Sequence, residues 1–132
     1  MKQSEIWLVR LDPSTGAEMK KIRPALIVSS NALGKLPIKI IAPITDWKER
    51  FADYPWMVKV LPSKQNGLKK ESATDCFQIR SVSVERLTVE IGSVQPEVIA
   101  VVQKAVRRVL ETGYVVYGRK SSIRFPGSAI IS

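Results

Sequence analysis

The sequence predicts a mainly β domain, a small and strongly curved sheet or barrel, closed by one amphipathic helix near its C-terminal end. Short apolar runs of strand length recur over residues 5–91, bounded by Pro, Gly, Asn or Asp. Only one stretch, Pro96–Leu110, carries a 3.6-residue apolar period. A chain of 132 residues with 45% hydrophobic and 25% charged side chains has the size and composition of one soluble globular domain.

Glu5–Leu11 (EIWLVRL) is rich in strand formers, and Asp12–Gly16 (DPSTG) follows with the Asx, Pro and Gly chemistry of a loop. Ala25–Ser29 and Ile38–Ile44 are nearly continuous apolar strands, with Pro43 making the end of the second an edge or a bulge. Trp56–Leu61 reads as a fourth strand, and Ser63–Gly67 offers an Asn-Gly pair suited to a tight turn. Ala73–Ile79 and Leu87–Ile91 are further strands, with Val82–Arg86 as a short turn between them. In the helix, Val98, Val101, Val102, Ala105, Val106 and Val109 fall on one face. Pro96 suits the first turn, and Gly113 lies just past the end. The domain spans residues 1–113. In the extension 114–132, Tyr114–Tyr117 is open to reading as an edge strand and Gly118–Ser122 as a flexible basic segment, without functional assignment.

The formal charge of +9 points toward polyanionic partners, although a basic surface that only aids solubility accounts for it equally well. Residues 1–50 hold nine Lys/Arg against five Asp/Glu, residues 51–100 six against six, and residues 101–132 six against one, so the excess lies at the two ends. No apolar run approaches the roughly 20 residues that cross a bilayer, and the N-terminus lacks a secretory pattern. A single cysteine, Cys76, suits a reducing compartment. The expectation is a cytoplasmic protein with no membrane partner.

Arg23, Pro24 and the apolar run Ala25–Ser29 form a distinctive block, because the residue before proline is held extended. Taken in order, IWLVRLDPSTGAE, the Arg23–Ser29 block, Pro43-Ile44-Thr45, Gln78-Ile79-Arg80 with Arg86-Leu87, and a C-terminal helix resemble the MazF/PemK toxins of bacterial toxin–antitoxin systems. The resemblance spans roughly residues 4–112. It implies an SH3-like β-barrel with a C-terminal helix, acting as a symmetric homodimer. It also implies a metal-independent endoribonuclease that cuts single-stranded RNA at short sequences and is silenced by a cognate antitoxin inserted into the RNA groove. The family's catalytic pair aligns with Arg23 and Thr45. Three features depart from the usual pattern: Ser4-Glu5 at the opening of the first strand, Lys20-Lys21-Ile22 in the loop, and Phe77 where an acidic residue is usual.

Metal-free RNA cleavage needs a base for the 2′-hydroxyl, an acid for the departing 5′-oxygen and positive charge for the phosphorane. The sequence has no histidine, which excludes a histidine-pair ribonuclease; with one cysteine, a His/Cys zinc site is excluded too. No cofactor is expected. Arg23 suits transition-state stabilisation, its fork matching two phosphate oxygens; alternatively it pairs with Asp12 or Glu18 to hold the loop. Thr45 donates to a non-bridging oxygen or caps its strand. Glu18 is the nearby carboxylate able to act as base, against a solvated loop acid partnering Lys20.

Gln78 can read a base edge or sit satisfied in a strand, while Lys20, Lys21 and Arg80 would position RNA backbone. Trp47, in the polar loop after Thr45, is the candidate base-stacking tryptophan, whereas Trp7 reads as core. Two other functions stay open. One is a CcdB-like gyrase poison of the same fold, the other a catalytically inactive RNA-binding relative.

Overall fold

The computed structural model describes residues 1–11 and 22–111. Seven strands precede the helix: β1 (Glu5–Arg10), β2 (Ile22–Ile27), β3 (Ile38–Asp46), β4 (Met57–Val60), β5 (Ser72–Asp75), β6 (Arg80–Ser83) and β7 (Leu87–Ser93), then α1 (Pro96–Leu110). All pair antiparallel in the order β4-β5-β3-β2-β1-β7, with β6 also on β3. The end strands β4 and β7 do not pair with each other, so the sheet stays open. None of the described helices is long and apolar enough to cross a membrane.

The long strand β3 is the pivot. Its residues Ile38–Ile41 pair with β6, Ile41–Pro43 with β2, and Ile44–Asp46 with β5. Pro43 therefore lies inside the strand, not at its end, at the point where the partners change and a missing N–H is tolerated.

Apolar residues of β2 face both ways, which explains its continuous run. Leu26 joins Ile6, Ile44, Val58, Cys76 and the helix residues Ile99, Val102 and Ala105. Ala25 and Ile27 join Val9, Ile41, Val82 and Leu87 in a second core on the opposite side. Burying a side chain such as Leu26 or Ile41 contributes about 1.5–3 kcal/mol each.

Several expected boundaries move. β2 starts three residues early, taking in Ile22, Arg23 and Pro24, and ends at Ile27. Beyond it, the amides of Val28 and Ser29 both donate to the Ile40 carbonyl, at 2.9 and 3.3 Å, which breaks the ladder. The expected strand Ala73–Ile79 stops at Asp75, because the Asp75 carboxylate captures the Phe77 amide (3.0 Å) and the Gln78 side-chain amide (3.1 Å) in an Asx turn. The chain then re-enters the sheet as β6, so Val82 and Ser83 are strand; only Val84–Arg86 turns, as a short 3₁₀ segment.

Ser63–Gly67 is not a tight hairpin turn but a packed loop around buried Asn66. The Asn66 side chain accepts from the amides of Ser63 and Leu68 and donates to the Leu61 carbonyl. The helix has its expected bounds, yet its buried face centres on Ile99, Val102 and Ala105, leaving Val101 exposed. The loop Asp12–Gly16, Glu18, Lys20, Lys21, Gly113 and Tyr114–Tyr117 lie outside the described residues.

Candidate active site

Arg23 on β2 and Thr45 on β3 line one cleft beside the stretch where β3 pairs with β5. The β2–β3 ladder ends at the Ala25–Pro43 pair, and Arg23 and Thr45 lie two residues beyond it on their strands. Alternate residues of a strand share a face, and Arg23 alternates with Ala25 as Thr45 does with Ile41, both of the second core. The side chains of Arg23 and Thr45 therefore emerge from the same side of the sheet as the second core. One cleft of about 170 Å³ collects them: Arg23, Pro24, Ile44, Thr45, Asp46 and Ser72 line it. This is below the range of about 300–1,000 Å³ usual for small-molecule sites.

Arg23 is exposed, and its backbone is fixed by the ladder to Val9 on β1. No carboxylate among the described residues pairs with its guanidinium. Thr45 is half-buried opposite Ala73 of β5. The sequence reading missed two lining residues, Asp46 and Ser72. Asp46 simply continues β3 past Thr45, and Ser72 opens β5 one residue before the expected strand. The Asp46 carboxylate is exposed and lies 3.9 Å from Lys70 Nζ.

The other expected residues surround this cleft at different distances along the sheet. Gln78 stands exposed in the turn between β5 and β6, beside the stretch of β3 that holds Pro43, and its Nε2 donates to Asp75. Arg80 pairs in register with Ile41 and so shares the face of Arg23 and Thr45. Its Nη1 donates to the Leu11 carbonyl at 2.9 Å, which braces the chain where it enters the segment carrying Glu18, Lys20 and Lys21. Arg86 supports the same exit through Arg10 O, at 3.1 Å.

Trp47 lies under the Lys59 ammonium, 4.9 Å from its ring centroid, and meets Phe51 edge-on at 5.7 Å. One π-face is thus spent inside the protein. The sequence reading also missed an aromatic series, in which Tyr54 stacks on Trp56 at 4.9 Å and Trp56 meets Phe77 at 5.5 Å.

No group of three or more His, Cys, Asp or Glu side chains gathers among the described residues. Cys76 is not a nucleophile of this site. Burial, and then the adjacent Asp75 charge, push its thiol up to about 12, and it sits in the core beneath the helix.

The sequence matches the model of the PemK-like, MazF-like toxins of type II toxin–antitoxin systems over residues 2–110. The chain belongs to this family. The endoribonuclease MazF9 of Mycobacterium tuberculosis is 33% identical to this MazF-family toxin over 118 residues, covering 84% of this chain and 97% of the relative. The endoribonuclease EndoA of Bacillus subtilis is 27% identical over 108 residues, covering 81% and 91%. An endoribonuclease from Mycobacterial species, solved in complex with its cognate antitoxin, superposes with a TM-score of 0.67 at 18% identity, covering 87% of this chain and 99% of that one. The shared fold is mainly β with one C-terminal helix, and the family is one of endoribonucleases.

Proposed function

We propose that this toxin cuts single-stranded RNA at specific sequences without a metal ion, and that the Arg23–Thr45 cleft holds the scissile phosphate. The observation carrying this reading is the cleft of about 170 Å³ that an exposed arginine and a threonine line together. In the reaction, the 2′-oxygen attacks the adjacent phosphorus while its proton passes to a base, for which Glu18 is the candidate. The P–O5′ bond breaks, the 5′-oxygen takes up a proton, and the products end in a 2′,3′-cyclic phosphate and a 5′-hydroxyl. Arg23 neutralises the charge that builds on the non-bridging oxygens, and Thr45 donates a hydrogen bond to one of them. Lys20, Lys21 and Arg80 hold flanking phosphates, and Gln78 reads a base edge. Trp47, with Lys59 over one face of its ring, stacks a base on the other.

The bent sheet is read as an SH3-type barrel left open between β4 and β7. The working unit is a homodimer in the cytoplasm, silenced by an antitoxin, as the relative solved with its cognate antitoxin suggests. Support for self-association comes from Leu33, Leu36, Ile38 and Ile40, which are exposed together around a shallow groove with Ser29 and Ser81. The test is cleavage of a long single-stranded RNA by folded Arg23→Ala protein. Removing one transition-state donor is expected to lower kcat about 100- to 1,000-fold. Undiminished cutting would assign Arg23 to structure.

A further inference from the structure

The aromatic series at the edge of the sheet has no role in the chemistry above, and its outermost ring is left in solvent. Phe77 is 58% exposed, an unusual state for a phenylalanine held so firmly. Its amide donates to Asp75 Oδ1 at 3.0 Å, and the neighbouring Cys76 amide donates to the Trp56 carbonyl at 2.9 Å. The ring packs against Trp56 at an interplanar angle of 67°, and Trp56 is backed in turn by Tyr54, nearly parallel at 8°. Phe77 is thus presented outward by two fixed backbone contacts and supported from behind by two further rings.

Its place in the chain brings it near the cleft, from the side of the sheet where Trp56 packs against the core under the helix. Along β5, Ala73 lies opposite Thr45, and Phe77 lies four positions on from Ala73, at most about 13 Å of chain. Gln78, whose amide is exposed, follows immediately. A π-face next to a side chain with both donor and acceptor atoms is the arrangement by which proteins take up a splayed, unpaired base: the ring stacks and the amide reads an edge. The surplus of positive charge on the chain suits the phosphate backbone that would carry such a base past the site.

We propose that Phe77, backed by Trp56 and Tyr54, is a stacking platform for one unpaired nucleobase of the RNA substrate, flanking the phosphate held at Arg23 and Thr45. The proposal rests on the ribonuclease reading and adds to it a residue that sets substrate recognition. Phe77 acts in binding, so its loss raises KM and leaves kcat and the bond that is cut largely unchanged.

The experiment uses the full chain and an RNA oligonucleotide containing a mapped cleavage sequence, together with a set in which each flanking nucleotide in turn is made abasic. Phe77→Ala is expected to raise KM about 10- to 100-fold on the intact RNA, the loss typical of one base–aromatic stack. One abasic position should impair the wild type by a similar factor and have no further effect on Phe77→Ala. Phe77→Trp should restore both the KM and the abasic sensitivity. Wild-type KM and wild-type abasic sensitivity in Phe77→Ala would overturn the platform while leaving the nuclease reading intact. If wild type binds RNA but does not cut it, the nuclease reading fails, and the same comparison made on Kd decides the platform. Absence of RNA binding overturns both. A Phe77→Ala protein that changes only its self-association in sedimentation would make the ring a protein contact and overturn the proposal.

Discussion

At the scale of single residues, Arg23 differs from the other basic side chains in how its backbone is held. It is paired to Val9 on one side and followed by Pro24, so the guanidinium starts from a fixed strand position. Lysine at this position keeps the charge but loses the planar fork. Arg23→Lys is therefore expected to retain RNA affinity and salt dependence while losing most of its turnover, a split visible in steady-state kinetics. Equal loss of kcat and affinity would point to simple phosphate tethering. The buried thiol gives a second expectation. Because the Cys76 pKa is raised on folding to about 12, its contribution to stability is complete below the unfolded thiol's value of about 8.5 and is lost as pH rises toward 12. Native protein near neutral pH should resist alkylation by iodoacetamide, and Cys76→Ala should lose less stability than wild type across that alkaline window.

At the scale of elements, what was legible in the sequence followed from local pattern. The first strand and the helix were read to within a residue, because period and cap chemistry are local signals. β6 was missed because its start depends on Asp75 folding its carboxylate back onto Phe77 and Gln78, which ends β5 early and lets the chain re-enter the sheet at Arg80. The helix face was rotated because Val98, Val101 and Val102 look alike in sequence; only packing against Ile6, Leu26 and Ile44 selects Ile99 and Val102. The loop at Asn66-Gly67 carries a testable constraint of the same kind. Gly67 has φ +71°, and a Cβ there would lie 2.0 Å from the Ile91 carbonyl oxygen of β7. Gly67→Ala is expected to cost about 1–3 kcal/mol or more in denaturant unfolding, whereas a freely solvated turn would lose only a few tenths.

At the scale of the whole molecule, β3 links the two halves of the sheet, and the candidate cleft lies where it changes partners. The Arg23 and Thr45 pair was legible only through the family resemblance, since 21 intervening residues hide their shared cleft until the fold is known. Phe77 stayed illegible as a site because an exposed aromatic in an unpaired turn has no sequence signature. The proposed dimer has its own test: Ile40→Glu should shift the protein to a monomer in sedimentation, and an unchanged mass would place self-association elsewhere. The central claim, metal-independent cleavage at the Arg23–Thr45 cleft, is tested most directly by mapping both ends of the fragments that purified toxin produces from a long single-stranded RNA in EDTA. Cleavage at that cleft predicts discrete sites with 2′,3′-cyclic phosphate or 3′-phosphate on one side and 5′-hydroxyl on the other, all formed about 100- to 1,000-fold more slowly with Arg23→Ala. Intact RNA, or fragments bearing 5′-phosphates, would contradict it.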